Sequence, residues 1–222
     1  EIILNYFEIH SDLIAIQGLD INLIINDQNF RNLSLLKKSL HFFEQIFETS
    51  TLLNREKAYV SPSLAVAHPK VNKEFVVKSQ WISTCAGVFR KNLFERYSFP
   101  DNFVTYSNNE YLYFSYNLHK SNEGKMLYIS KAKYQDIQTR SGRLSMVPLL
   151  YQVEVYDLYI FLKLFDQNFS NILIYLISRI GHFLYNCLRI ILKKEFSVNL
   201  LLHVFFSIVY PIFHFEEIKN ND

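Results

Sequence analysis

Two arginines on one predicted loop have the chemistry to bind a phosphorylated ligand. Arg140 and Arg143 flank Gly142 in a segment without apolar periodicity. A guanidinium group can donate two parallel hydrogen bonds to a phosphate, so this pair is suited to clamping a diphosphate. The alternative is an ordinary pair of solvated loop side chains, and the sequence favours neither.

A tryptophan and a second basic pair are further candidates for ligand contacts. Trp81, the single tryptophan of the chain, can offer a flat apolar face to a sugar ring, or it can be a core residue at a strand end. Arg90 and Lys91 begin a predicted helix, where the helix dipole disfavours positive charge. An anionic partner would explain this position. The alternative is that their aliphatic stems cover apolar neighbours.

Sites of other kinds have little support. The seven histidines are scattered, which argues against a dedicated zinc site. Cys85 and Cys187 lie far apart, so no disulfide framework is predicted and a reducing compartment is expected. The net charge of +2, without basic clusters interleaved with aromatic residues, argues against a nucleic-acid partner.

The elements that would position the candidate residues can be read from apolar patterning. Half of the 222 residues are hydrophobic, and Gly and Pro number only five each, which favours one packed domain with an appendage. Residues 2–7 pattern as a helix and residues 13–16 as a buried strand. A second apolar run at 21–25, followed by Asn26 and Asp27, is typical of a strand closed by a turn.

The middle of the chain continues this alternation of helix and strand. Residues 33–47 form an amphipathic pattern, with apolar side chains at helical spacing. The other predicted elements are a strand at 75–77, a short helix at 91–97, a helix at 110–119, a strand at 126–129, an extended segment at 134–137 and a helix at 149–165. The chain is therefore expected to have an α/β fold.

The last fifty residues have a different composition. Residues 172–192 are almost wholly apolar, and their polar side chains fall on one helical face: Arg179, His182, Asn186 and Arg189. A wide apolar surface with a narrow basic edge is typical of a helix in a membrane interface. A second apolar run of ~14 residues, at 200–213, is shorter than the ~20 that cross a bilayer. Residues 172–214 are therefore expected to lie on a membrane surface.

A series of short motifs follows a fixed order through the middle of the chain. It comprises the turn Trp81-Ile82-Ser83-Thr84, then Phe89-Arg90, Phe99-Pro100-Asp101-Asn102-Phe103, Tyr106, Glu110-Tyr111, the segment from Phe114 to Lys120, and Ser141-Gly142-Arg143. In this order and spacing, the motifs resemble the acceptor side of family-2 glycosyltransferases. The resemblance extends over about residues 3 to 164.

The resemblance implies a fold, a reaction and a location. The fold is a partial GT-A fold, a mixed α/β sheet with flanking helices over residues 1–168, followed by a membrane-associated helical tail over residues 169–222. The reaction is transfer of a sugar from a nucleotide-sugar donor to a lipid-linked or surface-polysaccharide acceptor, with Mg²⁺ or Mn²⁺ neutralising the leaving diphosphate. Together with the tail, it implies a peripheral protein on the cytoplasmic face of a bacterial inner membrane.

The resemblance also assigns roles to two acidic residues. Such enzymes carry Glu-Asp at the start of a helix, with the second residue as catalytic base. This chain has Glu110-Tyr111, which leaves Glu110 as the candidate base. Asp136 stands where the family tends to have a histidine that helps to hold the metal, and a carboxylate oxygen suits Mg²⁺ or Mn²⁺. The alternatives are a first-turn helix glutamate and a solvated turn aspartate.

Two interpretations of the whole chain remain open. No residues match the family's donor-binding strands and Asp-x-Asp motif, which the resemblance would place before residue 1. The preferred interpretation is therefore the C-terminal portion of a glycosyltransferase. The alternative is a catalytically inactive remnant that serves as a membrane-associated binding module, favoured by Tyr111, by Asp136 and by Thr84 in place of a turn glycine.

Overall fold

The structure is a computed structural model that describes most of the chain. The described residues are 1–25, 35, 38–39, 42, 58–69, 74–83, 86–99, 103, 109–137, 145–192 and 197–220. The helix predicted at 33–47 lies mostly outside these ranges, as do Arg140 and Arg143.

The described residues form a mixed α/β structure. The elements are α1 (Ile2–Ile9), β1 (Leu13–Asp20), β2 (Val76–Lys78), β3 (Gly87–Phe89), a 3₁₀ helix (Lys91–Glu95), α2 (Glu110–Lys120), β4 (Lys125–Tyr134), α3 (Met146–Leu164), α4 (Phe169–Leu192), α5 (Val198–Phe213) and α6 (Phe215–Asn220). The α/β class, the buried strand after the first helix and the helix at Glu110 are confirmed. The finer GT-A assignment stays a prediction.

Four strands form one mixed sheet in the order β2-β4-β1-β3. The central strands β1 and β4 are parallel, while β3 and β2 pair antiparallel with them at the two edges. The register of the central pair shifts near Gly18. A Cβ there would lie 2.6 Å from the carbonyl oxygen of Ala132, so glycine permits this close approach of two backbones.

Residues 21–25 form a helical turn rather than the strand predicted from their apolar run. Asp20 ends β1, and its Oδ1 accepts a hydrogen bond of 3.0 Å from the backbone N–H of Asn22. A carboxylate that bonds the second following N–H is an N-cap, which starts a helix. The strand prediction was wrong because the apolar pattern at 21–25 carries no information about this cap.

Helix α2 is held against the sheet by two hydrophobic clusters. Leu112 belongs to the cluster that contains Trp81 and Tyr128. Phe114 belongs to the other, where its ring stacks on that of Phe99 at a centroid distance of 4.6 Å. Since both clusters draw on one helix, the position of the α2 N-terminus relative to the sheet is determined by packing.

The C-terminal helices form a layered group around α3. Helix α3 packs against α2, α5 and α6, and α4 packs against α5. None of the helices in the described part of the chain combines the length and apolarity needed to cross a bilayer.

Candidate functional site

Glu110 lies at the start of α2, at a favourable place for a catalytic carboxylate. A four-residue turn joins α2 to β4, so α2 runs antiparallel to β4 and its N-terminus points toward the carboxyl ends of β1 and β4. Ligands of α/β sheets bind outside that end. The side chain is half-buried, and burial raises the pKa of its carboxyl group. A raised pKa makes the carboxylate a stronger proton acceptor.

The neighbouring Tyr111 packs toward the core. Its ring centroid lies 6.1 Å from that of Trp81, and it joins the cluster that holds α2 to the sheet. The side chain of Tyr111 therefore contributes to packing, and Glu110 is the carboxylate that the start of α2 offers.

Trp81 is a core residue in this structure. It is only 2 % exposed, and its indole Nε1 donates a hydrogen bond of 3.3 Å to the carbonyl oxygen of Ala67. The rings of His68 and Tyr128 lie against it, at centroid distances of 4.9 and 6.3 Å. A sugar ring can stack only on an exposed indole, and the indole of Trp81 is enclosed by the core. Burial of such a large apolar ring is favourable.

Arg90 is used inside the fold rather than offered to a substrate. Its Nε donates to the carbonyl oxygen of Leu13 at 2.6 Å, and its Nη2 donates to those of Phe7 and His10 at 3.1 and 3.2 Å. Phe7 and His10 lie at the C-terminal end of α1, where free carbonyls and the helix dipole attract cations. The α1 terminus therefore takes the place of the anionic partner that the sequence suggested.

Asp136 follows β4 and is exposed. Its backbone carbonyl accepts a hydrogen bond of 2.8 Å from Nδ2 of Asn22, which ties the 21–25 turn to the end of β4. Within the described ranges, no three His, Cys, Asp or Glu side chains converge as metal ligands. The described residues do not amount to a complete site for Mg²⁺ or Mn²⁺, and Asp136 would supply a single ligand.

A cavity of about 450 Å³ lies near the other end of α2. Its lining includes Tyr59, Lys78, Gln80 and His119. Burial lowers the pKa of His119. Because His119 is nine residues from Glu110, about 14 Å along the helix, this cavity and the candidate base are separate features.

A buried ionic network joins α3, α4 and the residue before Glu110. Arg179 of α4 is 6 % exposed, and its Nη1 lies 3.3 Å from Oε2 of Glu154 and 2.5 Å from Oδ2 of Asp157. The other oxygen of Asp157 accepts a hydrogen bond from the side-chain amide of Asn109, and His182 lies 3.7 Å from Glu154. The start of α2 is therefore connected to α4 through Asp157.

Opposite charges in this network offset part of the cost of burying them. Burial raises the pKa of Asp157, and the neighbouring Glu154 carboxylate adds to that effect. Burial also opposes ionisation of Glu154, but Arg179 and His182 outweigh it and hold the pKa of Glu154 below its ordinary value. Burial disfavours the charged Arg179 as well, yet the two carboxylates raise its pKa. The guanidinium is therefore firmly charged and held inward.

The network corrects one prediction from the sequence. Arg179 was expected on a basic edge facing the membrane interface, but it faces α3 instead. A helical stripe identifies residues that share a face without identifying what the face contacts. The available signal was the pair Glu154 and Asp157, two acids three residues apart on one face of a largely apolar and aromatic helix.

Comparison with known proteins adds no assignment. No protein-family model matches the chain, and no match was found among curated proteins or solved structures. The resemblance to family-2 glycosyltransferases therefore rests on the sequence motifs.

Proposed function

We propose that this chain is the acceptor-side part of a family-2 glycosyltransferase with a GT-A fold, which acts in polysaccharide biosynthesis at the cytoplasmic face of a bacterial inner membrane. The enzyme transfers a sugar from a nucleotide-sugar donor to a lipid-linked or surface-polysaccharide acceptor. The observation that carries the proposal is the placement of Glu110, a carboxylate of raised pKa at a helix start that points toward the carboxyl ends of β1 and β4.

The proposed role of Glu110 is that of general base. It takes the proton from an acceptor hydroxyl while that oxygen forms a bond to the anomeric carbon of the donor. The bond from the anomeric carbon to the diphosphate breaks at the same time, and the nucleoside diphosphate leaves. Arg140 and Arg143 are the proposed contacts for the diphosphate, and Asp136 is proposed as one oxygen ligand of the cation.

Replacement of Glu110 by glutamine tests this role. The assay uses the full-length protein that contains this sequence, a panel of nucleotide sugars and Mn²⁺, and measures release of nucleoside diphosphate. Glutamine keeps the size of the side chain but cannot accept a proton, so Glu110→Gln should lower the rate by about 100-fold or more. The matched control is Glu95→Gln, an exposed glutamate of the 3₁₀ helix, which should retain the rate.

The pH dependence provides a second readout. Glu110 must be ionised to act as base, so the wild-type rate should fall as the pH drops through the raised pKa, and Glu110→Gln should lack this acid limb. An unchanged rate in Glu110→Gln would exclude the role. Absence of both donor binding and donor hydrolysis in the wild type would exclude the enzyme.

A second function is favoured by different observations. Trp81 and Arg90 are committed to the fold, and Tyr111 stands at the position of the family's base. These features suit a membrane-associated binding module without catalysis. Calorimetric titration separates the two: donor binding by the folded wild type supports the enzyme, while membrane binding without donor binding supports the module.

A further inference from the structure

Among the residues that the structure describes, the outward sides of α4 and α5 carry apolar side chains and no charged ones. Apart from Ser170, the exposed residues of α4 whose side chains the structure describes are all apolar, among them Phe169, Leu173, Leu176, Ile177, Ile180 and Leu184. Apart from Asn199, the same is true of α5, with Val198, Leu202, Phe205, Phe206, Ile212 and Phe213. We call these exposed apolar side chains of the two helices the apolar outer surface.

The contributions of the two helices join into one surface. The ring of Phe183 on α4 lies 6.4 Å from that of Phe205 on α5, and Phe205 lies 5.7 Å from Phe206. Since α4 also packs along α5, the exposed side chains form a continuous patch rather than two isolated stripes. An extended apolar patch of this kind marks an interaction surface.

The buried network determines which side of α4 faces outward. Arg179 is held against Glu154 and Asp157 on the inner side. At 100° per residue, Ile177 and Leu184 lie about 140–160° around the helix from Arg179. The small residues Ser178 and Gly181 are also buried. Helix α4 therefore buries Arg179 and these small residues and exposes apolar side chains.

This arrangement is the reverse of an amphipathic helix in water. Such a helix buries its apolar stripe and exposes its charges, whereas charged side chains of helices in lipid face the protein interior and small residues line the helix contacts. Water alone would leave the apolar outer surface uncompensated. A lipid environment satisfies both sides of α4 at once.

The charge of the adjoining segment favours lipid over another occupant. Residues 189–195 contain Arg189, Lys193 and Lys194 with a single acid, Glu195. Basic residues next to an apolar surface attract the anionic headgroups of a membrane.

We propose that the apolar outer surface of α4 and α5 is a lipid-binding face that inserts into the headgroup region and upper acyl chains of an anionic membrane. The inference rests on the proposed membrane association and is independent of the proposed transfer reaction. It reverses the orientation that the sequence predicted for Arg179, because this side chain faces the protein rather than the headgroups.

Vesicle flotation tests this face directly. The full chain is mixed with vesicles of phosphatidylglycerol and phosphatidylethanolamine, and the bound fraction is compared with that for phosphatidylcholine vesicles. Ile180→Gln removes one inserted side chain and should lower the partition coefficient for the anionic vesicles by about tenfold. The matched control is Ile9→Gln: Ile9 is 75 % exposed on α1 and Ile180 is 60 % exposed on α4, so both proteins should stay folded by circular dichroism.

The possible results separate this inference from the proposed function. Loss of binding in Ile180→Gln alone, with stronger binding to anionic than to neutral vesicles, supports the face. If Ile180→Gln and Ile9→Gln bind the vesicles equally well, the protein associates with membranes, but not through the apolar outer surface. Failure of the wild type to float with the vesicles would overturn both the lipid-binding face and the proposed membrane association. That result would not bear on the transferase activity, which is assayed separately. A lipid-free dimer that Ile180→Gln converts to a monomer in sedimentation velocity would assign the surface to a second copy instead.

Discussion

The sheet and the C-terminal helices place polar and apolar side chains in opposite ways. In the sheet, residues 13–16 are buried, and ion pairs such as Lys125 with Asp12 lie at the surface, where the two side chains are 51 % and 49 % exposed. In α4 the ion pairs of Arg179 are buried, while apolar residues such as Leu176, Ile177 and Ile180 are exposed. Burial of apolar residues therefore orients the strands, while a buried charge cluster orients α4.

The two arrangements differ in what their charges contribute to stability. An exposed pair contributes little, because water solvates both ions in the unfolded and the folded chain. A buried pair can contribute little net stability and still be costly to break, because removal of one partner leaves the other charge without compensation. The two regions should therefore respond differently to the same substitution.

The largest expected effect is that of Arg179→Met. Loss of the guanidinium leaves Glu154 and Asp157 buried without their cation, so the free energy of unfolding should fall by about 3–5 kcal/mol. Arg96→Met is the control in the sheet region, because Arg96 pairs with Glu123 at the surface and should cost much less. Urea unfolding of both variants measures the difference. Equal losses of unfolding free energy would show that the buried and the exposed ion pairs do not differ in the way expected.

The same region offers a second control for this prediction. Replacing Glu154 and Asp157 by leucine together with Arg179→Met removes the buried guanidinium and both buried carboxylates. Apolar replacement of a complete buried ion cluster is often neutral, so most of the lost stability should return. If the triple variant is even less stable than Arg179→Met, the side chains of the cluster stabilise α4 by more than the attraction between their charges.

The next effect concerns one substitution made in both regions. Leu112 of α2 is fully buried and Leu202 of α5 is 48 % exposed. Leu112→Ala should cost about 2–5 kcal/mol through lost burial and a cavity, whereas Leu202→Ala should change stability by about 0.5 kcal/mol or less in lipid-free solution. Chemical denaturation measures both. A large loss for Leu202→Ala would mean that protein already covers the apolar outer surface.

A third prediction uses the buried phenol of the sheet core. Burial raises the pKa of Tyr128 to about 12, so the folded state favours the neutral phenol. The contribution of this phenol to the free energy of unfolding is fully present below the ordinary tyrosine pKa of about 10. It is lost as the pH rises toward 12, and the loss amounts to at most about 2–3 kcal/mol. Tyr128→Phe should flatten this alkaline loss in unfolding curves at increasing pH. An unchanged alkaline limb would exclude Tyr128 as its source.

The smallest effect is expected from a carboxylate at the surface. The hydroxyl of Tyr97 donates to Glu123 at 2.7 Å, and this hydrogen bond, with Arg96, lowers the pKa of Glu123. The resulting stability is present above the ordinary pKa and is lost as the pH falls through the lowered one. Tyr97→Phe should weaken this acid limb slightly in urea midpoints between neutral and acid pH. If the pH-dependent stability changes more in Tyr97→Phe than in Tyr128→Phe, the surface hydrogen bond matters more than the buried phenol, contrary to expectation.

Local patterns in the sequence predicted much of the fold. The buried strand at 13–16, the helix at 110–119 and the two C-terminal helices are confirmed because their apolar periodicities reflect local backbone geometry. The strand predicted at 21–25 was wrong because the Asp20 cap decided the local structure. The mixed α/β class was predictable from these elements, while the strand order depends on contacts between distant segments.

The candidate site was less predictable. The sequence identified Glu110 as a helix-start carboxylate, and the structure confirms that position. It could not show that Arg90 bonds to Leu13, 77 residues away, or that Trp81 is enclosed by the core. The fate of a polar or aromatic side chain depends on which partners folding brings to it.

The sequence by itself determined which residues share a strand or a helix face, because those relations depend only on backbone periodicity. It thereby identified both the Arg179 stripe and the broad apolar side of α4. The tertiary structure decided that Arg179 faces inward, since Glu154 and Asp157 on another helix compensate its charge. It is this pairing between distant segments that leaves the apolar side of α4 facing outward.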